Sequence, residues 1–199
     1  MTKIQTTIKS SSNGKHNDSS QKGKPNGGGQ TLKKLFENEL KDIYSAEKQL
    51  VEALPEMAKA ADSEELQDAI QHHLQETRRH VVRLEKVFDR LRIDRSEEKE
   101  CAAMKGLIEE GKQIIEEYEI GPVRDAALII GAQKVEHYEI AAYGSICELA
   151  NVLGFGRVED LLCRTLDEEG EADKTLSEIA QRVNDEACEA HDEHYHAVM

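Results

Sequence analysis

The stretch Gln133-Lys134-Val135-Glu136-His137-Tyr138-Glu139 decides how the chain is read. It lies in an Ala- and Ile-rich segment that reads as a long helix. Glu136 and Glu139 are three residues apart, so both project from one helical face. Ala126, Ile129, Ile140, Tyr143, Cys147 and Ala150 share that face, which is otherwise apolar. An ionised carboxylate drawn out of water costs roughly several kcal/mol even after relaxation. Two acids on a core-facing stripe therefore need a compensator, and a metal ion is one. The reading turns on whether other helices aim acids at the same place.

They do. A first helix is predicted from about Thr31, a plausible cap, to Ala61. Its heptad seam is Phe36, Leu40, Ile43, Glu47, Leu50, Leu54 and Met57, with Glu47 interrupting at mid-length. Pro55 removes a backbone hydrogen bond and predicts a kink. Asp62 to Glu65 resembles a capping box and starts a second helix that reaches about Ile93. Its seam is Leu66, Ile70, His73, Thr77, His80, Leu84, Val87 and Leu91, and the stripe His73, Glu76, His80 is expected to face one way. A shorter amphipathic helix follows over about 100–119. Gly121 and Pro122 end it and open the third long helix, about 122–153, with Pro at its first position. After the break at Gly154-Phe155-Gly156, a fourth long helix carries Leu162, Leu166, Glu169, Asp173, Leu176, Ala180, Val183 and Ala187.

The acids match in height. Glu47 and Glu76 each stand roughly 20 Å from the turn that joins their helices, at about 1.5 Å per residue. Glu136, Glu139, Glu169 and Asp173 stand roughly 25 Å from the turn near residue 155. The long connection holding the short helix can act as a crossover between the two hairpins. Four long helices can thus place Glu47, Glu76, Glu136, Glu139, Glu169 and Asp173 in one layer, with His73 and His80 close by. The bland alternative pairs these acids with Lys134, Arg79 and Arg83, or with Tyr44, Tyr138 and Tyr143, in a buried polar network. Carboxylate with imidazole suits iron or manganese, and the lack of paired Cys argues against structural zinc.

The bulk numbers agree with an all-α bundle. The 199 residues suffice for one domain with a sizeable core plus tails. Charged residues make up 33% and aromatics 4%, without Trp, which disfavours a β-rich fold. The formal net charge of -14 argues against nucleic acid binding by the main body. No apolar run is long enough to span a bilayer. The four Cys show no Cys-x-x-Cys and read as reduced thiols of a cytoplasmic protein. Residues 1–30 are rich in Ser, Asn, Gly, Lys and Gln and read as a disordered basic tail, with five Lys against one Asp. They have no apolar core segment and no Arg, so neither a secretory signal nor a transit peptide is expected. The bundle is expected over 31–187, and 188–199 as an acidic, His-rich tail.

The pattern resembles the ferritin-like carboxylate-bridged dimetal bundles, and more closely the YciE/YciF family of ferritin-like stress proteins. The resemblance covers about residues 31 to 185. It is carried by DIYSAEKQL (42–50), HLQET (73–77), MKGLIE (104–109), RDAALI (124–129), QKVEHYEIAAY (133–143) and TLDEEGEAD (165–173). It implies a ferritin-like antiparallel four-helix bundle with the short extra helix in the crossover, a homodimer, a dinuclear Fe or Mn centre and a link to stress. It names a fold better than a reaction. If active, the chemistry would be peroxide turnover or ferrous oxidation.

The generic dimetal pattern has single Glu ligands on two helices and Glu-x-x-His on the other two. Glu47 fits a single Glu, and Glu136 with Glu139 matches the Glu-x-x-Glu variant of rubrerythrin-like bundles. The departures are Arg79 three after Glu76, and Ala172 three after Glu169, where His is expected. The expected ligands are Glu47, His73, Glu76, Glu136, Glu139, Glu169 and Asp173, with one Glu bridging and His73 a ligand or an orienting group. His137 and Tyr138 lie off the stripe and are expected to pack or to orient ligands. Two other readings stay open. One is a metal-free helical dimer acting as a scaffold; the other is Dps-like DNA association through the Lys-rich tail.

Overall fold

The structure, a computed structural model, describes residues 31–95 and 99–198, with side chains as far as Glu189. The tail predicted over 1–30 lies outside the described residues. Five helices follow in order: α1 Leu32–Ala60, α2 Glu64–Leu91, α3 Ala102–Glu117, α4 Pro122–Val152 and α5 Gly156–Val198. There is no strand among the described residues, so the all-α expectation holds.

Local chemistry sets the ends. The Thr31 hydroxyl accepts the Lys34 N–H at 3.1 Å and opens α1. α1 continues through Pro55 to Ala60. The cap of α2 is Ser63, whose hydroxyl accepts from Leu66 N–H, not the Asp62 box expected from the sequence. The reason is tertiary: Asp125, in the first turn of α4, takes the N–H groups of Asp62 at 2.8 Å and Ser63 at 2.7 Å on its two carboxylate oxygens. Pro122 sits at the start of α4 as predicted. Gly154, at φ 75°, turns the chain out of α4 through a region where a side chain would strain the backbone. α5 runs past the end expected near 187, to Val198.

Helix α1 packs on α2 and α4, and α5 packs on α2 and α4, so the four long helices form a ring in the order α1, α2, α5, α4. The Phe36 and Phe155 rings, with centroids 5.9 Å apart, bring the start of α1 to the α4–α5 turn. Asp125 brings the start of α4 to the α1–α2 turn. Every neighbouring pair is therefore antiparallel, and the connection from α2 to α4 crosses the bundle. Helix α3 lies outside the ring against α1 and α4.

The core is apolar at both ends of the barrel. Phe36, Leu40, Leu84, Phe88 and Ile146 fill one end, and Leu54, Leu66, Ile70 and Leu128 the other. Between them lies a layer of buried acids and imidazoles: Glu47, His73, His80, Glu136, Glu139 and Glu169.

Candidate metal centre

Each long helix contributes to this layer from its buried seam. α1 supplies Glu47 and α2 supplies His73 and His80, seven residues apart and so on one face. α4 supplies Glu136 and Glu139, and α5 supplies Glu169, which is fully buried. The side chains converge in two groups whose potential ligand atoms lie within 4.8 Å of one another: His73, Glu136, Glu139 and Glu169 in one, Glu47, His80 and Glu169 in the other. Glu169 belongs to both.

The second group is held from outside. His80 Nε2 lies 2.9 Å from Glu168 Oε2, and Glu168 in turn accepts from Arg83 at 2.8 and 3.1 Å and from Arg164 at 3.1 Å. Arg83 also donates to the Thr165 hydroxyl. Tyr143, itself fully buried, donates its hydroxyl to Glu47 Oε1. With Nε2 anchored on Glu168, the Nδ1 atom of His80 faces inward, 2.9 Å from Glu169 Oε1 and 3.4 Å from Glu47 Oε1. In the first group His73 Nε2 stands 3.4 Å from Glu136 Oε1 and its Nδ1 stands 4.0 Å from Glu169 Oε2.

Among the described residues, the buried side-chain polar atoms without a hydrogen-bond partner are Glu47 Oε2, both ring nitrogens of His73, His80 Nδ1, Glu136 Oε2 and both carboxylate oxygens of Glu139 and of Glu169. All belong to the six residues of the layer. A buried unsatisfied polar atom costs about 1–3 kcal/mol. The His80 Nδ1 and Glu169 Oε1 atoms are close yet lack hydrogen-bond alignment, so the short distance between them does not relieve either. This is the chemistry a cation would satisfy: oxygen and imidazole donors, converging and unpartnered, of the kind suited to iron or manganese.

Without a cation, protons compensate the layer. Burial, then the neighbouring Glu169 and Glu47, raises Glu136 and Glu139 well above the ordinary carboxylate range. Burial lifts Glu169 to about 7, with the His80 contact opposing and Glu47 adding. Burial works against a charged His80, but Glu169 and Glu47 push it up to about 10. Burial, with His80 and His72 nearby, drops His73 to about 3, so its ring is neutral and one nitrogen offers a lone pair. Outside the layer, partial burial opposes ionisation of Glu168, but Arg83 and Arg164 hold it at about 2.

Of the seven residues expected from the sequence, Glu47, His73, Glu136, Glu139 and Glu169 meet in the layer, and Glu76 and Asp173 do not join it. Glu76 lies about 60° round the helix from His73; its carboxylate pairs with Arg79 at 3.0 Å and stands 3.6 Å from His72. Asp173 accepts from Gln133 at 3.3 Å and faces His137 at 3.3 Å. His80 replaces them. It was legible on the seam but sits one residue beyond the Glu-x-x-His spacing counted from Glu76. Glu168, which supports His80, was not singled out in the sequence; its pairing with Arg83 joins α2 to α5 only in the fold. The bland pairings mostly go elsewhere: Lys134 binds Glu110, Tyr44 binds Glu85, and Tyr138 donates to Asp42 at 2.7 Å. Among these side chains, Tyr143 is the one that bonds a layer acid, Glu47. His137 is exposed and Tyr138 packs where α1, α3 and α4 meet.

Residues 31–189 match the family described as Domain of unknown function (DUF892). The sequence is 45% identical over 161 residues to Protein YciF of Escherichia coli (strain K12), covering 79% of this chain and 95% of that protein. The crystal structure of the E. coli stress protein YciF is similar with a TM-score of 0.73 at 43% identity, over 78% of this chain and 98% of that one. YcfI from Rhodopseudomonas palustris, described as a structural-protein candidate, is similar with a TM-score of 0.71 at 38% identity, over 74% of this chain and 94% of that one.

Proposed function

The chain belongs to the DUF892 family, with YciF among its relatives, and from that premise we propose that the buried layer is a dinuclear Fe or Mn centre of a stress-related protein. Glu47, His80 and Glu169 would hold one ion, and His73, Glu136, Glu139 and Glu169 the other. Glu169 is common to both groups. The observation that carries this reading is the set of unpartnered atoms, which falls into two convergent groups sharing one residue.

The donor inventory supports it. Ferritin-like dimetal bundles use four carboxylates and two imidazoles, and the layer contains four Glu and two His. The distribution differs, since both His come from α2 and two Glu from α4, but the charge balance is the same. Four carboxylates offset two divalent ions, and the imidazoles add no charge. A pair of such ions held there would supply two-electron redox chemistry of the kind peroxide reduction takes. The chain's own part is to hold the ligands, to fix His80 through Glu168, and to keep water out with the apolar ends of the bundle.

The relative's description as a stress protein supports the stress role. The described cysteines are free, which suits a reducing cytoplasm; no described helix is long and apolar enough to cross a membrane. The chain is a homodimer in this reading. Exposed Ile120, just before α4, and Val123 and Ile130 within it offer an apolar contact, and light scattering on the eluting protein should give twice the chain mass.

The test is metal content by elemental mass spectrometry on untagged protein, with Fe and Mn supplied during expression and exhaustive dialysis afterwards. About two ions per chain is expected. Near zero, with no uptake on anaerobic reconstitution, sinks the metal reading and favours a metal-free scaffold.

A further inference from the structure

A cavity of about 390 Å³ opens beside the layer, between α1, α2, α4 and α5. Leu50, Leu54, Met57, Ile70, Leu176 and Ile179 form its walls. His73 and Glu136 line it on the side of the layer. These two are 7% and 2% exposed, and both ring nitrogens of His73 and Oε2 of Glu136 have no partner. Apolar walls with a few converging polar atoms, in a volume of this size, are the make-up of a small-molecule site.

Charge narrows the ligand. Of the acids that line the mouth, Glu65 pairs with Arg182, Glu76 with Arg79 and Glu171 with Lys174, and Asp68 is exposed to solvent. With four carboxylates set against two divalent ions, the floor carries no net charge either. A carboxylate or ammonium head meets no buried counter-charge there, since Asp68 is exposed to solvent, and the walls reward hydrocarbon.

We propose that this cavity takes a small organic molecule with an apolar body and an uncharged oxygen-bearing head, namely an alkyl or aryl hydroperoxide, with the head at His73 and Glu136. The proposal rests on the two-metal reading and names the substrate class of that site. Hydrogen peroxide reaches the same floor but leaves the walls unfilled.

The probe is 2-phenyl-2-propanol, the alcohol matching cumene hydroperoxide. Its binding to the manganese-loaded full chain is measured by titration calorimetry, with metal content determined on the same sample. Saturable binding is expected, weakened roughly tenfold or more in Ala172→Trp, whose indole fills the cavity. The variant keeps its two ions. Ala69→Leu, a milder filling of the facing wall, serves if the Trp variant does not fold. In turnover with an added dithiol, oxidised to its disulfide as the hydroperoxide takes two electrons and two protons to give alcohol and water, kcat/KM for cumene hydroperoxide should exceed that for hydrogen peroxide roughly tenfold or more, and the ratio should shrink in either variant. A chain that holds two ions but binds no alcohol overturns the hydroperoxide proposal and leaves the metal centre standing. Equal binding by parent and filled variants overturns it too. A chain without metal overturns both readings.

Discussion

The two halves of the buried layer are built on opposite principles. Around Glu47 and His80, each inward-facing group has an outer partner: Tyr143 on Glu47, Glu168 on His80, and Arg83 and Arg164 on Glu168. Around His73, Glu136 and Glu139, such partners are missing. His73 has neither ring nitrogen satisfied, and Glu139 has neither oxygen satisfied. The first half is backed by protein and the second borders a cavity. The same bundle thus gives one position fixed geometry and the other room to change its contacts. An outer hydrogen bond orients a ligand and tunes its basicity; its absence leaves the ligand to be positioned by what it binds.

The largest break in this comparison is at the residue both halves share. Glu169→Ala should remove both ions, while Glu136→Ala should remove chiefly the one beside the cavity, leaving about one per chain by elemental analysis. Equal loss in the two variants would mean that the halves are not separable. Next comes the outer support. Glu168→Gln leaves every proposed ligand in place, yet should weaken metal affinity roughly 10- to 100-fold at the Glu47–His80 position, read by competition with a chelator. An unchanged affinity would strip Glu168 of its orienting role.

Metal-free protein sharpens the contrast through pH. Glu169, at about 7 in the fold, is raised above an unfolded carboxyl near 4.5; Glu136 and Glu139 are raised as well. The folded chain then binds more protons than the unfolded one between these values. The stabilisation is complete below the unfolded pKa and is lost as pH rises through the folded one. Thermal melts of the metal-free chain should drop by roughly 5 °C or more between about pH 5 and pH 8. Metal loading should flatten that slope, and a metal-free melt independent of pH would contradict it.

The smallest effect distinguishes the halves by apolar replacement. Glu139→Leu removes two unpartnered oxygens and strands nobody, so the metal-free chain should gain about 1–3 kcal/mol by denaturant unfolding. Glu47→Leu should gain less, because it leaves the buried Tyr143 hydroxyl without its acceptor. The reverse ranking would show that the supported half is the more strained one.

Much of this arrangement was legible in the sequence because burial and helical period are tied together. Glu47 falls in the middle of a seam whose apolar members are all buried, and Glu136 with Glu139 stands on a stripe that continues to Tyr143 and Cys147. Height matching then brought the helices together, since short turns fix where each hairpin starts counting. What failed was angle. A stripe on a straight helix drifts against a strict seven-residue repeat. On α5 the buried face tilts toward Thr165 and Ile179, leaving Leu166, Asp173 and Ala180 on the flank. On α2 the buried line runs His73, Thr77, His80, and Glu76 falls beside it. The cap of α2 and the support on His80 were not legible, because both depend on side chains distant in sequence, Asp125 and Glu168.

Asp125 carries a consequence beyond capping. Its carboxylate ties the first turn of α4 to the corner between α1 and α2, and so fixes how far one hairpin slides along the other. The layer stands roughly 20 Å from that corner. A slip of one helical turn, about 5.4 Å, would separate Glu136 and Glu139 from His73 and Glu47 without breaking any helix. The clasp works as a zero mark from which every ligand's height is measured. The alignment of the buried layer thus depends on two backbone amides at the end of the bundle, and Asp125→Ala should disturb the proposed site from a distance while each hairpin stays folded.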